Sequence, residues 1–542
     1  MTEVTVDTES IGRKAGRGLG WGLLGNAVGK VGSFATALVL ARLLVPHDFG
    51  VYAVALAATQ FVLHINDVGL IAATIQWRGR LEDMAPTAAT LAATFSVLIY
   101  VGFWFAAPAF AELAGIPEAT PVIRLFTVTI LIDGFTAVRN AYLLRTFRQD
   151  QVIKANMAGI VANAAVAIGL AAAGAGAVGL AAGQVASSVT TGVLTFVWAG
   201  LPVRAGLDLA ITRRLMAYGV PLAASLGVEA VLIQADKVIV GRLMGATALG
   251  FYLLAYSVSS WAPGLIGSAL RYVTIPSFSR LSEGDTETLS RGVRRWTTLL
   301  VTGLIPIAVL VIALAEPMIS FLYGERWLPA APVLRFMMIF MVVRMLTAMG
   351  MDVLMGAGAT RWTLLINIGW AAAVVPALWM GTTLGGGRGA AIAHAMVGVL
   401  VAVPLAVLAL RRVGVHLTPI GPALVRPALA GALAGAVAVF LRLVSGPNTF
   451  IQLAVAGTGG LLAYLATAVP RRQLRDWIVA ARAGRRAPIP APRQPADPAR
   501  SAGRPARRAG EAGPPAAGPA PPDAPGHTPA NTTRRDRDQL GR

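Results

Sequence analysis

No cysteine occurs among the 542 residues. The chain therefore has no disulfide framework, no thiol chemistry and no Cys-ligated metal. Charge is scarce, at 13% of residues, against about 25% in a soluble domain. There is no GxxxxGK[ST] stretch, which excludes an internal ATP engine built on a phosphate loop. No HExxH and no plausible nucleophile triad are found. The run Gly385-Gly386-Gly387 lies between two apolar spans and is followed by Arg388. A phosphate loop would follow a strand, so this run reads as a flexible external turn. Nor is there any gap between apolar segments long enough to hold a soluble domain.

What the chain has instead is hydrocarbon. Hydrophobic residues make up 56% of it and the mean hydropathy is +0.66. About fourteen segments are long enough to cross a bilayer, which takes roughly 20 mostly apolar residues. They fall near 19–43, 49–76, 86–111, 121–143, 155–174, 177–200, 215–240, 249–275, 296–320, 331–356, 362–382, 387–410, 423–443 and 449–469. Such a chain is an all-α polytopic membrane protein, because a bare backbone polar group in lipid costs several kcal/mol. Arg13, Lys14 and Arg17 precede the first span. That span is too long for a signal-peptide core, has no clear cleavage site, and reads as a retained helix.

The net charge of +20 suits topology and an anionic membrane surface better than nucleic acid. Its distribution alternates. One set of gaps holds clusters such as Arg139, Arg145, Arg148 and Lys154, or Arg291, Arg294 and Arg295. The other holds single cations such as Arg42, Arg124, Arg326, Arg388 and Arg442. The count is about 24 against about 8, which puts the first set and both termini in the cytoplasm. From about residue 482 onward the chain is rich in Pro, Ala, Gly and Arg without apolar periodicity. It cannot bury a core and reads as a disordered tail.

An internal repeat is the most specific signal. Residues 41–55, ARLLVPHDFGVYAVA, lie over residues 241–255, GRLMGATALGFYLLA. Arg42, Leu43, Gly50, Tyr52 and Ala55 coincide with Arg242, Leu243, Gly250, Tyr252 and Ala255. The offset of about 200 residues spans six helices, an even number, so the halves are related by an axis along the membrane normal. Each glycine is expected to open a tight turn at the head of the next helix. Each tyrosine is expected at the membrane interface, ring in lipid and hydroxyl in water.

The same stretches resemble a known family. Residues 41–70, ARLLVPHDFGVYAVALAATQFVLHINDVGL, are similar to the opening signature of bacterial oligosaccharide flippases, the Wzx-type polysaccharide transporters. Residues 236–258, DKVIVGRLMGATALGFYLLAYSV, resemble their mid-chain signature. The resemblance covers about 15–475 and implies two six-helix lobes plus two extra helices. The implied organisation is a cytoplasmic segment 1–18, an N-lobe 19–200, a linker 201–214, a C-lobe 215–410, two further helices in 411–475 and a tail 476–542. The superfamily also holds multidrug extruders and the lipid II flippase. Membership implies transfer of an undecaprenyl-pyrophosphate-linked oligosaccharide across the bacterial cytoplasmic membrane, for cell-surface polysaccharide such as exopolysaccharide or lipopolysaccharide. It also implies alternating access and no enzyme activity or cofactor. A proton or sodium gradient and polysaccharide assembly proteins are the further partners implied.

Ionisable groups inside the membrane are expensive and mark function. Lys30 lies roughly 16 Å into its helix at 1.5 Å per residue, near the midplane. Arg344 sits midway along the tenth span. Facing one cavity, they would form a cationic patch suited to pyrophosphate; the structural alternative is pairing with internal carboxylates. The resemblance favours Lys30, since flippases of the superfamily carry cations in the first helix, where drug extruders tend to carry an acid. The ion-coupling candidates are Glu229, Asp67 and Asp133, with Glu229 the deepest. Asp352 is a further acidic position. His64 and Asp67 share a helix face. Asp236 and Lys237 fall near an external helix end and read as headgroup anchors. Rival functions are a lipid II or small-molecule exporter, and a membrane polysaccharide polymerase or ligase. The last would need a large external loop, and the external gaps here run to only about 5–12 residues.

Overall fold

A computed structural model describes residues 25, 28–76, 81–146, 148–201, 205–282, 286–418 and 420–468, with the side chains of 64–83, 218–232, 262, 265–285 and 360 excepted. The basic residues before the first span and the tail from 469 onward lie outside the described residues. The chain divides into two units, Met1–Leu474 and Arg475–Arg542, and every described residue belongs to the first.

Among the described residues the secondary structure is helical, and it makes fourteen passes. α1 covers 28–43, α2 Pro46–Gln76, α3 Leu81–Leu113, α4 Pro117–Arg145, α5 Gln149–Ala172 and α6 Gly176–Ala199. The run Leu209–Ser282 is two passes, α7 (209–244) and α8 (246–282), broken at Gly245 with φ 78°. Next come α9 (Thr286–Ala313) and α10 (Ala330–Gly356). A second long run breaks at Gly385 and Gly386 (φ 57°) into α11 (360–384) and α12 (387–412). α13 (Gly421–Val444) and α14 (Thr449–Ala468) close the set. The glycine break between α11 and α12 is the turn expected from the three consecutive glycines.

Capping fixes several starts. Asp208 Oδ1 accepts the backbone N–H groups of Ala210 (2.8 Å) and Ile211 (3.1 Å), and Asn448 Oδ1 accepts that of Phe450 (3.0 Å). Each satisfies donors that the first helical turn leaves orphaned. α9 departs from expectation. It begins at Thr286, nearly three turns before the expected start at 296, and ends at Ala313. Leu314 (φ −106°, ψ 16°) then separates it from a short helix, Ala315–Tyr323. Hydropathy marks where a helix meets lipid, and this helix continues past lipid into its arginine-rich turns.

The lobes meet along α2 and the α7–α8 run, the most extensively packed pair of elements. We call the two short turns α1–α2 and α7–α8 the elbows. α10 sits centrally and is largely buried, whereas α14 is peripheral and mostly exposed. Small residues allow α13 to seat on α9. A Cβ at Gly431 would stand 2.4 Å from Ile305 Cγ2, and one at Gly435 2.7 Å from Val309 Cγ1. In lipid such close approach supplies the dispersion contact that the hydrophobic effect does not. Large side chains that face outward, such as Leu98, Phe105, Leu429 and Leu443, suit a hydrocarbon surround.

The repeat glycines take a role other than the one expected. Each α2-type helix begins before its glycine, so the turn lies at 44–45 in the first half and at Gly245 in the second. A Cβ at Gly50 would stand 1.8 Å from Ala246 O, and one at Gly250 1.8 Å from Pro46 O. The two elbows therefore cross backbone to backbone, each glycine admitting the other's carbonyl.

Candidate functional site

A cavity of about 1090 Å³ lies between the lobes. It is walled by α1, α2, α7 and α8 and by the α4–α5 junction. At the elbow end it stops at Phe49 and Tyr323; at the other end it reaches Leu144, Gln149 and Val152, beside the basic α4–α5 turn. Hydroxyl and amide groups of Ser33, Gln60, Asn156, Ser257 and Ser260 line it, with Phe34 and Trp261 between them. Its charged lining among the described residues is Lys30 and Lys237, with no carboxylate.

Lys30 lies on α1, in the cavity wall. Its helix is fixed to α8 by the Trp261 indole N–H, which donates to Lys30 O (3.3 Å), and by Phe34, whose ring centroid lies 4.8 Å from that of Trp261. Opposite Lys30, Gly264 leaves room for the ammonium, since a Cβ there would stand 3.1 Å from Nζ. Lys30 is a lining residue of the cavity, and among the described residues no carboxylate pairs with it. A fixed cation in a low-dielectric, partly polar space attracts an anion more strongly than it would in water.

Lys237 is the cation that the sequence reading misplaced. It and Asp236 do not anchor headgroups at a helix end. Asp236 is 0% exposed and Lys237 3%, about two helical turns below the Gly245 break. Lys237 Nζ lies 3.3 Å from Asp236 Oδ1 and 4.8 Å from the centroid of the Tyr256 ring. Tyr252 donates its hydroxyl proton to Asp236 Oδ2 (3.1 Å), and its oxygen stands 3.3 Å from His394 Nδ1. With that proton committed, the Nδ1–H tautomer of His394 is the one that completes the chain. Phe340 stacks on the His394 ring at 4.3 Å. Tyr252 is thus buried in a polar core and does not sit at the membrane interface, because Asp236 and His394 offer it partners inside the C-lobe. Tyr52 takes a different place from both expectation and repeat mate, stacked on Phe126 at 5.6 Å.

Arg344 does not line the cavity. It stands behind the wall and donates to Tyr256 Oη (2.6 Å), a lining residue. Asp133 is on α4 and outside the lining; it and the buried Asp352 both have interaction partners. Asp67 and Glu229 fall on α2 and α7, and their side chains, like that of His64, lie outside the described residues. Sequence spacing could have grouped Asp236, Tyr252 and Tyr256, which lie on consecutive helices of one hairpin. It held no signal for His394, 142 residues from Tyr252.

The motif arginines bind across the lobes. Arg42 Nε donates to Leu322 O (2.8 Å) and its Nη2 to Phe321 O, at the end of the short helix Ala315–Tyr323. Arg242 Nη1 donates to Glu112 O (2.9 Å), in the last turn of α3. A helix C-terminus leaves four carbonyls unpaired and partly negative, so a guanidinium is a fitting cap.

Solved structures share the fold. A lipid II flippase, MurJ, in an inward closed conformation superposes with a TM-score of 0.67 at 13% identity, over 83% of this chain and 100% of that one. An inward-facing multidrug-resistance MATE transporter gives 0.58 at 16% identity, over 71% and 94%. Among sequences, the succinoglycan biosynthesis transport protein ExoT of Rhizobium meliloti (strain 1021) is 28% identical over 323 residues, 59% of this chain. The chain spans 64% of ExoT's length. The lipopolysaccharide biosynthesis protein WzxC of Escherichia coli (strain K12) is 21% identical over 372 residues, 67% of this chain and 74% of that one. Both elbows, Lys30's neighbours on α8 and the Asp236 cluster's first half fall within residues 39–332, which match the polysaccharide biosynthesis protein family, and to that family this multi-pass membrane protein belongs.

Proposed function

We propose that the protein is a flippase that carries an undecaprenyl-pyrophosphate-linked oligosaccharide from the cytoplasmic to the outer leaflet of a bacterial cytoplasmic membrane, for cell-surface polysaccharide. The observation that carries this reading is the interlobe cavity, with Lys30 and Lys237 in its lining and no carboxylate among its described lining residues. Lys30 would meet the pyrophosphate, and Arg344 would act through Tyr256. The sugar would travel along the hydroxyl and amide groups while the polyprenyl chain stays in lipid. No covalent bond changes, so the protein is a transporter and not an enzyme, and it needs no cofactor. The names of ExoT and WzxC, a transport protein and a biosynthesis protein of surface polysaccharides, support the same reading.

Both termini are placed in the cytoplasm by the basic clusters. The cavity then opens toward the cytoplasm and the elbows seal the outside. Energy would come from a proton or sodium gradient. Glu229, Asp67 and Asp133 are the carboxylates proposed from the sequence, and the buried Asp236–Tyr252–His394 chain adds a fourth candidate. Polysaccharide assembly proteins would supply and take up the cargo. A cationic drug suits a lysine-lined cavity poorly, since like charges without a partner are disfavoured there.

The test is reconstitution in liposomes. A fluorescent undecaprenyl-pyrophosphate oligosaccharide is expected to become accessible to an impermeant quencher on the far leaflet only in protein-containing vesicles. Transport of a cationic dye or of lipid II, with none of the oligosaccharide, would overturn the reading in favour of its rivals.

A further inference from the structure

The repeated motif has a physical role that transport through the cavity does not by itself assign. Its arginines and glycines occupy equivalent places in the two halves, and each reaches into the opposite half. Arg42, in the first half, caps the helix that ends at Tyr323, the close of the third pass of the second half. Arg242, in the second half, caps α3, the third pass of the first. Gly50 admits the carbonyl of Ala246, and Gly250 admits that of Pro46.

The glycine-led loops after the capped helices close the same seam. Gly115 (φ 71°) follows α3, and its Cβ position is 3.0 Å from Arg242 Cα. Gly324 (φ 97°) follows the short helix and leads into Trp327, whose indole N–H donates to Ala41 O (2.8 Å), and Arg326, which donates to Leu44 O (3.3 Å). Trp327 is 0% exposed.

We infer that Arg42, Gly50, Arg242 and Gly250 are positioning residues that form a reciprocal latch across the elbows. The latch holds the elbow end of the cavity shut and must part in every transport cycle. The inference rests on the alternating-access reading above. Its physics is that of a breakable seal. Its polar contacts are hydrogen bonds from charged groups to carbonyls, set beside a buried apolar seam in which Phe49 and Phe251 pack against Trp327. The freed carbonyls and guanidinium groups face water when the seam opens, which lowers the cost of parting them. The tight backbone crossing makes the shut state discrete, because any side chain at position 50 or 250 would hold the seam apart.

The absence of cysteine makes the test clean. Val45→Cys and Arg326→Cys place one thiol on each side of the elbow seam. They are joined in proteoliposomes by a short, reducible bifunctional thiol reagent, with fluorescent lipid-linked oligosaccharide as cargo. Bridging is expected to cut transport by about tenfold or more, and reduction to restore it, as for a state that can no longer exchange. A second measurement uses Ala37→Cys in the cavity wall, labelled by an impermeant maleimide from the elbow side. Arg42→Ala with Arg242→Ala is expected to raise the labelling rate by about tenfold, the population shift that about 1.4 kcal/mol produces. Undiminished transport in the bridged protein would overturn the latch while leaving the flippase reading intact. Should the thiol pair itself be inactive, unchanged labelling in the double alanine variant would overturn the latch. Absence of transport in the unaltered protein would instead strike the function proposed above.

Discussion

Lys30 shows what one charge does in a low-dielectric wall. An ammonium inside a membrane-spanning bundle is tolerated where polar groups surround it, and the cavity offers those of Ser33, Asn156 and Ser257. On the function proposed above, its partner is the pyrophosphate of the cargo. Lys30→Ala is therefore expected to lower flipping by about tenfold or more, the worth of one charge-assisted hydrogen bond, with membrane insertion unchanged. Lys30→Arg is expected to keep part of it. Flipping rates in liposomes, beside the amount of inserted protein, check both. Lys237 differs, because Asp236 already neutralises it. Its burial and ring contact make it part of the C-lobe core as much as of the lining. The two repeat tyrosines make the same point: Tyr52 meets Phe126, whereas Tyr252 meets Asp236 and His394. The halves share a backbone and have separate interior chemistry.

At the scale of elements, α13 and α14 stand outside both lobes and are held by two devices. Gly431 and Gly435 let α13 lie close on α9, and the Tyr464 hydroxyl donates to Thr302 O (2.7 Å) from α14. Beyond the spans, Glu316 accepts Arg335 (2.8 Å) and also Arg442, at the end of α13. The hydrogen bond from Arg442 is the main cause that holds the Glu316 carboxyl below the usual carboxylate range; burial opposes it and the charges of both arginines assist. A carboxyl whose pKa is depressed by folding stabilises the fold above its unfolded value, and loses that contribution as pH falls through the folded one. The tie is thus complete at neutral pH, and it is lost in acid as pH falls from the ordinary carboxylate range through the depressed folded value. Glu316→Gln is expected to lower thermal stability at pH 7 by no more than about 1 kcal/mol, since the cluster is partly solvent-screened. The difference from the unaltered protein is expected to vanish in acid. A thermal-unfolding series in detergent across pH measures both.

At the scale of the molecule, two bundles meet at the elbows and stand apart around the cavity. The Pro- and Ala-rich sequence from about residue 482 shows no apolar periodicity. Deletion of 482–542 is expected to leave flipping within about twofold of the full chain, in keeping with a segment that buries no core. Transport assays on the truncated protein in liposomes decide it. Most of the frame was legible in the sequence because lipid enforces it. An apolar run of sufficient length has to be a helix, and the break at Gly385 and Gly386 falls where three glycines interrupt one. The start of α9 at Thr286 was not legible, since its first turns lie among arginines where hydropathy is silent. Lys30 was legible as a lone cation in an apolar helix. Arg344 was legible as a charge, yet its place behind Tyr256 depends on how α10 is rotated against α8.

The sequence by itself determined a helical, multi-pass membrane chain of two related halves with a cation in its first helix. The bilayer forces helicity on any long apolar segment, and a repeat in sequence fixes a repeat in fold. Tertiary packing alone decided that His394 joins Asp236 and Tyr252, and that Lys237 reaches the cavity while Arg344 does not. It also decided that the motif glycines serve a crossing and not a turn. Contacts between residues about 100 or more apart depend on helix rotation and seating, and these are set by interdigitating side chains on both partners, which no local pattern records.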